Sequence, residues 1–238
     1  MEGTGPVSEA SEAQSGDGRV AGNRVRSQVS LDQAVDLTRT GDVWLFRGST
    51  IADRAIQTFT NAPVNHVGMA VVLDDLPPLL WHAELGKSLP DVWTGKHQRG
   101  VQLHDLQAAV STWSRKYRAR AWMRQLNPEV SREMEDSVLR TISRLDGRPF
   151  PTTPGVIRGW IAGRFSHRVK AETIYCAELV AATYTAMGLL ETSRTQNWYD
   201  PGRFWSGDNL GLEKGASLGR EISVAVPALA SPAPCTAS

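Results

Sequence analysis

The chain has 238 residues, of which 41% are hydrophobic and 21% are charged, and its formal net charge at pH 7 is +1. These values are ordinary for a globular protein, and one domain with loose ends fits the length better than two. A charge so close to zero argues against a nucleic-acid partner. Two cysteines are too few for a disulfide framework or a four-ligand zinc site, so the sequence predicts no metal and no cofactor.

Both ends of the chain are poor in large apolar side chains. Residues 1–28 are rich in Gly, Ser, Glu and Ala and cannot offset the entropy of ordering, which predicts a disordered N-terminal segment. Apolar periodicity fades again after Trp205, so residues 29–205 are predicted to form the domain and residues 206–238 a flexible tail. The absence of an apolar signal region and of a long apolar run favours a soluble cytoplasmic protein, with export by another route left open.

Helical and extended patterns alternate through the first half of the domain. In chain order they are a helix over 31–37 capped by Ser30, a strand over 43–46, a helix capped by Ser49 or Thr50, and strands over 64–72 and 79–85. The turn residues at 74–78 predict that the last two strands pair as an antiparallel hairpin.

The second half continues with elements of both types. They are a weaker strand over 101–103, a short helix over 106–113, a strand over 117–123, a helix over 131–145, and a helix that starts at Cys176. Together the patterns predict an α+β fold in which an antiparallel sheet packs against the helix that begins with Cys176.

Cys176 is the strongest candidate for chemistry. It stands where a short extended run gives way to helical spacing, so it falls in the first turn of a predicted helix. Unpaired backbone N–H groups and the positive end of the helix dipole favour a thiolate at such a position. A small apolar residue packed in a core is the alternative interpretation, and the local pattern leaves both open.

Three polar residues on the predicted hairpin are candidates for the base and the orienting group that a thiol nucleophile requires. Period-2 alternation places His66 and Gly68 on one face of a strand, and the glycine leaves room there for a close approach. His82 and Glu84 share a face of the next strand. A turn of about five residues would place Glu84 opposite His66 and a wider turn would place His82 there, and the sequence leaves this choice open.

Other polar residues are weaker candidates. Asp42 follows a glycine before a strand, which predicts a role in a turn. His97, His104 and His167 stand in polar stretches and are interpreted as surface residues. The basic, apolar stretch 156–165 is interpreted either as a flap that makes a weak membrane-surface contact or as a segment folded onto its own core.

Four short motifs occur in the order found in a known superfamily. They are Gly41-Asp42-Val43-Trp44-Leu45-Phe46, Asn65-His66-Val67-Gly68-Met69-Ala70, His82-Ala83 and Tyr175-Cys176-Ala177-Glu178-Leu179-Val180. Over residues 38–190 the chain therefore resembles the circularly permuted papain-like cysteine hydrolases, the permuted branch of the NlpC-type superfamily that includes lecithin–retinol acyltransferase-like enzymes. The resemblance implies a permuted papain-like fold in which the base histidine precedes the nucleophilic cysteine.

The resemblance also implies a role for each candidate. Cys176 is the nucleophile, His66 the base, and His82 the residue that orients the base in a catalytic triad. Many bacterial relatives carry a glutamate at the third position, whereas Glu84 stands two residues further on. The implied activity is cleavage of an amide, ester or thioester, with a small peptide-like amide or a lipid acyl group as substrate. The alternative is a catalytically silent binding module that retains the papain-like cleft.

Overall fold

The computed structural model describes residues 28–48, 63–84, 87–148, 176–194, 198–205 and 210–227. Within these ranges the chain forms β1 (Gln28–Ser30), α1 (Leu31–Asp36), β2 (Val43–Arg47), β3 (His66–Val71), β4 (Leu79–Glu84), β5 (Gly100–Asp105), α2 (Leu106–Tyr117), β6 (Arg120–Arg124), β7 (Leu126–Asn127), α3 (Arg132–Leu145), α4 (Cys176–Ala186), a 3-10 helix (Pro201–Phe204), β8 (Ser217–Leu218) and β9 (Ile222–Ala225). A mostly antiparallel sheet packs against the helices, which confirms the predicted α+β class. None of the helices in the described ranges has the length and apolar character needed to cross a bilayer.

Several predicted features lie outside the described residues. They are the N-terminal segment up to residue 27, the helix capped by Ser49 or Thr50, the stretch 156–165, His167 and the chain beyond residue 227.

Side-chain caps start the helices where the sequence predicts them. Ser30 and Gln33 form a reciprocal capping box at α1, and the Ser131 hydroxyl accepts a backbone hydrogen bond at the start of α3. The predicted strand over 117–123 is wrong at its first residues, because Tyr117 still belongs to α2. Arg118 then adopts a left-handed conformation with φ of 50°, which ends the helix before β6.

Seven of the described strands form one sheet in the order β1-β9-β6-β2-β3-β4-β5. Every neighbouring pair in it is antiparallel except β1 and β9, which run parallel. The predicted hairpin of β3 and β4 is confirmed, with Met69 opposite Trp81 and Val71 opposite Leu79. β7 and β8 form a separate two-stranded pair.

The C-terminal part of the chain contributes a strand to the sheet. β9 lies between β1 and β6, and its residue Val224 is buried. The predicted flexible tail from residue 206 is therefore wrong for this stretch, and the folded domain extends at least to β9. The apolar pattern of β9 is too short to predict a strand. The strand is stabilised by pairing with β1 and β6, which are distant in sequence.

The sheet separates two apolar clusters. Val67 and Met69 of β3 point to the face that α4 covers, with α3 packed against α4. Trp44, Phe46 and Ala70 point to the opposite face, which α1 and α2 cover. We call these the α4 face and the α2 face. Because side chains alternate along a strand, the even-numbered residues of β3 and β4 lie on the α2 face.

Asp42 holds the turn between α1 and β2. Its buried carboxyl group accepts hydrogen bonds from the backbone N–H of Leu126 at 2.8 Å and of Arg39 at 2.9 Å. Burial raises the pKa of Asp42 from 3.8 to about 6, although the two hydrogen bonds act in the opposite direction. Asp42 therefore has the structural role that its position after a glycine predicts.

Candidate functional site

His66 is the first residue of β3 and points to the α2 face. It is paired in register with Phe46 of β2, and the centroids of these two rings are 5.8 Å apart. The indole ring of Trp113 on α2 lies edge-on to the imidazole, with centroids 5.2 Å apart. Two strands and a helix therefore position this ring.

The partner of His66 on the next strand is His82. Nε2 of His66 lies 3.2 Å from Nδ1 of His82. The register of the hairpin, continued to the end of β4, places Glu84 opposite His66 and His82 opposite Gly68, so the two imidazoles meet diagonally. A Cβ atom at Gly68 would lie 3.1 Å from Cβ of His82. The close approach predicted at Gly68 is thus confirmed, and both His82 and Leu80 make it.

A third imidazole follows on β5. Nε2 of His82 lies 3.0 Å from Nδ1 of His104, and both residues are fully buried. The interpretation of His104 as a surface residue is therefore wrong. The sequence contained a signal for it, because Val101 and Leu103 alternate with Gln102 and His104. Extending the predicted strand by one residue would have placed His104 on one face with Gln102.

The three rings form what we call the histidine chain, His66–His82–His104. Burial lowers the pKa of His66 and of His104 from 6.5 to about 4, and lowers the pKa of His82 well below 6.5. Each ring is therefore neutral at pH 7, with one N–H and one lone pair. The hydrogen bonds run either from His66 towards His104 or in the reverse direction, and this direction decides which nitrogen of His66 carries the proton.

Glu84 lies next to the end of the histidine chain. Its Oε2 is 3.9 Å from Nδ1 of His104, and the residue is 7% exposed. Burial raises the pKa of Glu84, while hydrogen bonds from Ser88 to the carboxyl group act to lower it. Within the described ranges, no hydrogen-bond donor contacts Oε2.

Cys176 is the first residue of α4 and belongs to the cluster on the α4 face. Burial raises the pKa of its thiol from 9.0 to about 11, although backbone hydrogen bonds at Val67 and Ala177 lower it. The position at a helix start predicted a favoured thiolate, and in this structure desolvation outweighs that effect. The thiol is neutral at pH 7.

The structure brings His66 and His82 together but leaves Cys176 on the other face of the sheet. Among the residues that the structure describes, no hydrogen bond joins the thiol to the imidazole of His66. The backbone of Val67, which directly follows His66, nevertheless lies close enough to the sulfur to lower the pKa of the thiol. The thiol and the histidine chain therefore both lie at the start of β3.

No protein-family model matches this sequence, and no curated protein is significantly similar to it. Among solved structures, the chain is similar to the metalloprotein yiiX from Escherichia coli O157:H7, with 20% sequence identity and a TM-score of 0.45. The match covers 62% of this chain and 65% of that one, so it spans less than two thirds of the yiiX structure. We therefore infer function from the residues of this chain alone.

Proposed function

We propose that the protein is a cysteine-dependent hydrolase or acyltransferase, with Cys176 as the nucleophile and His66 as the base. The observation that carries this function is the packing of α4 on β3, where the backbone of Val67, the residue after His66, lies beside Cys176 and lowers the pKa of its thiol. The 3.2 Å contact between His66 and His82 supports His82 as the residue that orients the base.

The reaction begins with a proton transfer from the thiol to the imidazole. The two side chains lie on opposite faces of the sheet in this structure, so the start of β3 or of α4 has to move before this transfer. The thiolate then forms a bond to the acyl carbon, and the tetrahedral intermediate collapses as the leaving group takes the proton from His66. A water molecule that gives a proton to the same ring hydrolyses the thioester and regenerates the thiol.

The histidine chain selects the nitrogen of His66 that accepts the thiol proton. When Nε2–H of His66 donates to His82, Nδ1 of His66 keeps a free lone pair. His82 accepts at Nδ1 only if its own proton is on Nε2, where it donates to His104. His104 is therefore a positioning residue in this mechanism, since it fixes the tautomer of His82.

A catalytically silent binding module is the second candidate. The observation that favours it is the neutral thiol, buried on the face of the sheet opposite to the imidazole. In such a module Cys176 is a small core residue, and His82 and His104 do not orient a catalytic base.

Alkylation by iodoacetamide separates the two functions. In a Cys235→Ser background, which removes the other thiol of the chain, we expect a base-assisted Cys176 to be alkylated at neutral pH. His66→Gln should slow that reaction about tenfold or more, because the thiolate then forms without its base. Slow alkylation that is insensitive to His66→Gln would favour the silent module.

The substrate class requires a separate measurement. Purified protein is assayed on model amides, thioesters, carboxylic esters and lysophospholipids, with Cys176→Ala as the matched control. We expect turnover of one class in the wild type and background turnover in Cys176→Ala, whose circular dichroism should match the wild type. Equal turnover in the two proteins would contradict the role of Cys176.

A further inference from the structure

We propose that His82, Glu84 and His104 form a binding site for a divalent transition-metal ion, with zinc as the best-matched ion. One ligand atom from each residue lies within 4.8 Å of the other two, and all three residues are buried. The three side chains come from the neighbouring strands β4 and β5, so the sheet holds them in place. The sequence-based prediction of no metal rested on the small number of cysteines, which says nothing about a site made of two histidines and a glutamate.

The distances within the site fit a single ion. Nε2 of His82 and Nδ1 of His104 are 3.0 Å apart, and Oε2 of Glu84 is 3.9 Å from the same Nδ1. Two nitrogen ligands at about 2.0–2.1 Å from a tetrahedral zinc ion are about 3.3 Å apart. A separation of the two rings by a few tenths of an ångström, together with a larger approach of the Glu84 carboxylate from its 3.9 Å distance, would let the three residues share one ion.

A buried oxygen without a partner is the second observation that points to a ligand. Oε2 of Glu84 is shielded from solvent and, in the described part of the chain, receives no hydrogen bond. A carboxylate oxygen is only an acceptor, so its burial without a donor or a cation is unfavourable. A metal ion between Glu84 and the two imidazoles satisfies this oxygen.

The donor set selects the class of ion. Two neutral imidazoles and one carboxylate are the ligands of many zinc sites that keep a fourth position open, and imidazole is a poor ligand for magnesium or calcium. His66 completes the arrangement from outside, because its Nε2 lies beside Nδ1 of His82, the nitrogen that the ion leaves free. Outer partners of this kind orient metal-binding histidines and raise their basicity.

Metal binding has a consequence that rests on the proposed hydrolase function. An ion on Nε2 of His82 leaves the proton of that ring on Nδ1, where it donates to Nε2 of His66. His66 then carries its own proton on Nδ1 and has no lone pair for the thiol. Zinc at this site therefore inhibits Cys176 by fixing the wrong tautomer of the base.

Direct binding measurements on the full chain test the site without any substrate. Chelator-treated protein is titrated with zinc by calorimetry, and metal content is measured after desalting. We expect one zinc per chain in the wild type. Glu84→Gln and His104→Gln should each weaken zinc binding by more than about 100-fold, since loss of an outer partner alone weakens it about 10–100-fold.

Two control variants make the result specific. His97→Gln removes a histidine that is exposed as predicted, and Cys176→Ala removes the buried thiol. Both should bind zinc as the wild type does. No bound zinc in the wild type, or equal loss of binding in either control, would overturn the site.

Cobalt(II) provides a readout that does not depend on the folding of a variant. We expect the cobalt-loaded wild type to show d–d absorption bands without a sulfur-to-cobalt charge-transfer band. A charge-transfer band, or no d–d bands, would contradict a site made of two imidazoles and a carboxylate.

The inhibition of Cys176 by zinc is tested separately from zinc binding, by the rate of alkylation. Zinc should slow alkylation of Cys176 in the wild type and leave the rate in Glu84→Gln unchanged. Zinc binding without slower alkylation would contradict the tautomer mechanism, while the binding data would still support the site. If the proposed hydrolase function is wrong, the result is different: alkylation of Cys176 in metal-free protein is then insensitive to His66→Gln.

Discussion

His82 is the central residue of the site because each of its ring nitrogens has an imidazole partner. On one side it contacts His66 at 3.2 Å, and on the other it contacts His104 at 3.0 Å. Glu84 differs from His82 in its contacts, since its carboxylate lies 3.9 Å from the imidazole of His104. At the scale of single residues, the two candidates for the third catalytic position therefore have distinct contacts.

We expect His82→Ala to lower kcat by about 100-fold with little change in KM, because an unoriented base mainly weakens transition-state stabilisation. Glu84→Ala should lower kcat by less than about tenfold in metal-free protein. His82→Gln is the matched control, since its amide oxygen can still accept a hydrogen bond from His66 and should restore part of the rate. Background activity in Glu84→Ala together with near wild-type activity in His82→Ala would show that the assignment is wrong.

Asp42 has a measurable role in stability. Asp42→Ala leaves the backbone N–H groups of Arg39 and Leu126 without their acceptor. Each buried donor left unpaired destabilises a protein by about 1–3 kcal/mol. We expect urea unfolding to show a loss of this size, whereas removal of the exposed side chain in Asp75→Ala should change the free energy of unfolding by less than about 0.5 kcal/mol. Equal effects of the two variants would contradict the turn role of Asp42.

Asp42 should also make stability depend on pH. Its pKa of about 6 in the folded state exceeds the value of 3.8 in an unfolded chain, so between these values the folded state binds more protons. Its contribution to the free energy of unfolding therefore rises as the pH falls from about 6 to about 4, by up to about 1.4 kcal/mol per pH unit. Asp42→Asn should lack this contribution. A stability difference between wild type and Asp42→Asn that is constant over this range would contradict the raised pKa.

At the scale of secondary-structure elements, the approach of β3 to β4 depends on Gly68. A Cβ atom there would lie 2.7 Å from Cδ1 of Leu80, closer than real Cβ atoms come, and 3.1 Å from Cβ of His82, which is tighter than most real contacts. Gly68→Ala should therefore lower the free energy of unfolding by about 1–3 kcal/mol and displace His82 from His66.

The measurement for Gly68→Ala combines urea unfolding with the zinc titration. Gly95→Ala is a useful comparison, because a Cβ atom at Gly95 meets no described atom within 4 Å, although its φ of 67° adds backbone strain. Destabilisation in both variants with weaker zinc binding only in Gly68→Ala is the expected pattern. Unchanged stability and zinc affinity in Gly68→Ala would show that β4 adapts without loss.

At the scale of the whole molecule, the sheet depends on both ends of the described chain. β9 joins β1 to β6, so the first and last strands in sequence are neighbours in space. Val224 of β9 is buried beside residues of β6 in the cluster on the α2 face. This end of the sheet therefore cannot form until the C-terminal part of the chain has been added.

Two truncations test this dependence. A chain that ends at residue 219 lacks β9 and should lose about 3 kcal/mol or more, which corresponds to about 6–12 °C in Tm. A chain that comprises residues 28–227 keeps all the described strands, and its Tm should be nearly that of the full chain. A large fall in Tm for the second protein would show that residues 1–27 or 228–238 dock on the domain.

The sequence by itself determined the local helices and strands and which of their side chains share a face. Caps at Ser30 and Ser131, the hairpin of β3 and β4, and the helix that begins with Cys176 follow from patterns a few residues long. Alternation alone places His66 and Gly68 on one face of their strand, and it predicts the space that His82 occupies. Local patterns are sufficient here because backbone geometry fixes the side-chain period of each element.

Only the tertiary structure decided which elements are neighbours. It joined His104 to the site and added β9 to the sheet, because strand order depends on pairing between residues far apart in sequence. It also placed Cys176 and His66 on opposite faces, since the packing of α4 sets which side of the sheet the thiol lies on. Period-2 alternation specifies that a side chain faces one side, but the choice of side is made by the helix that packs there.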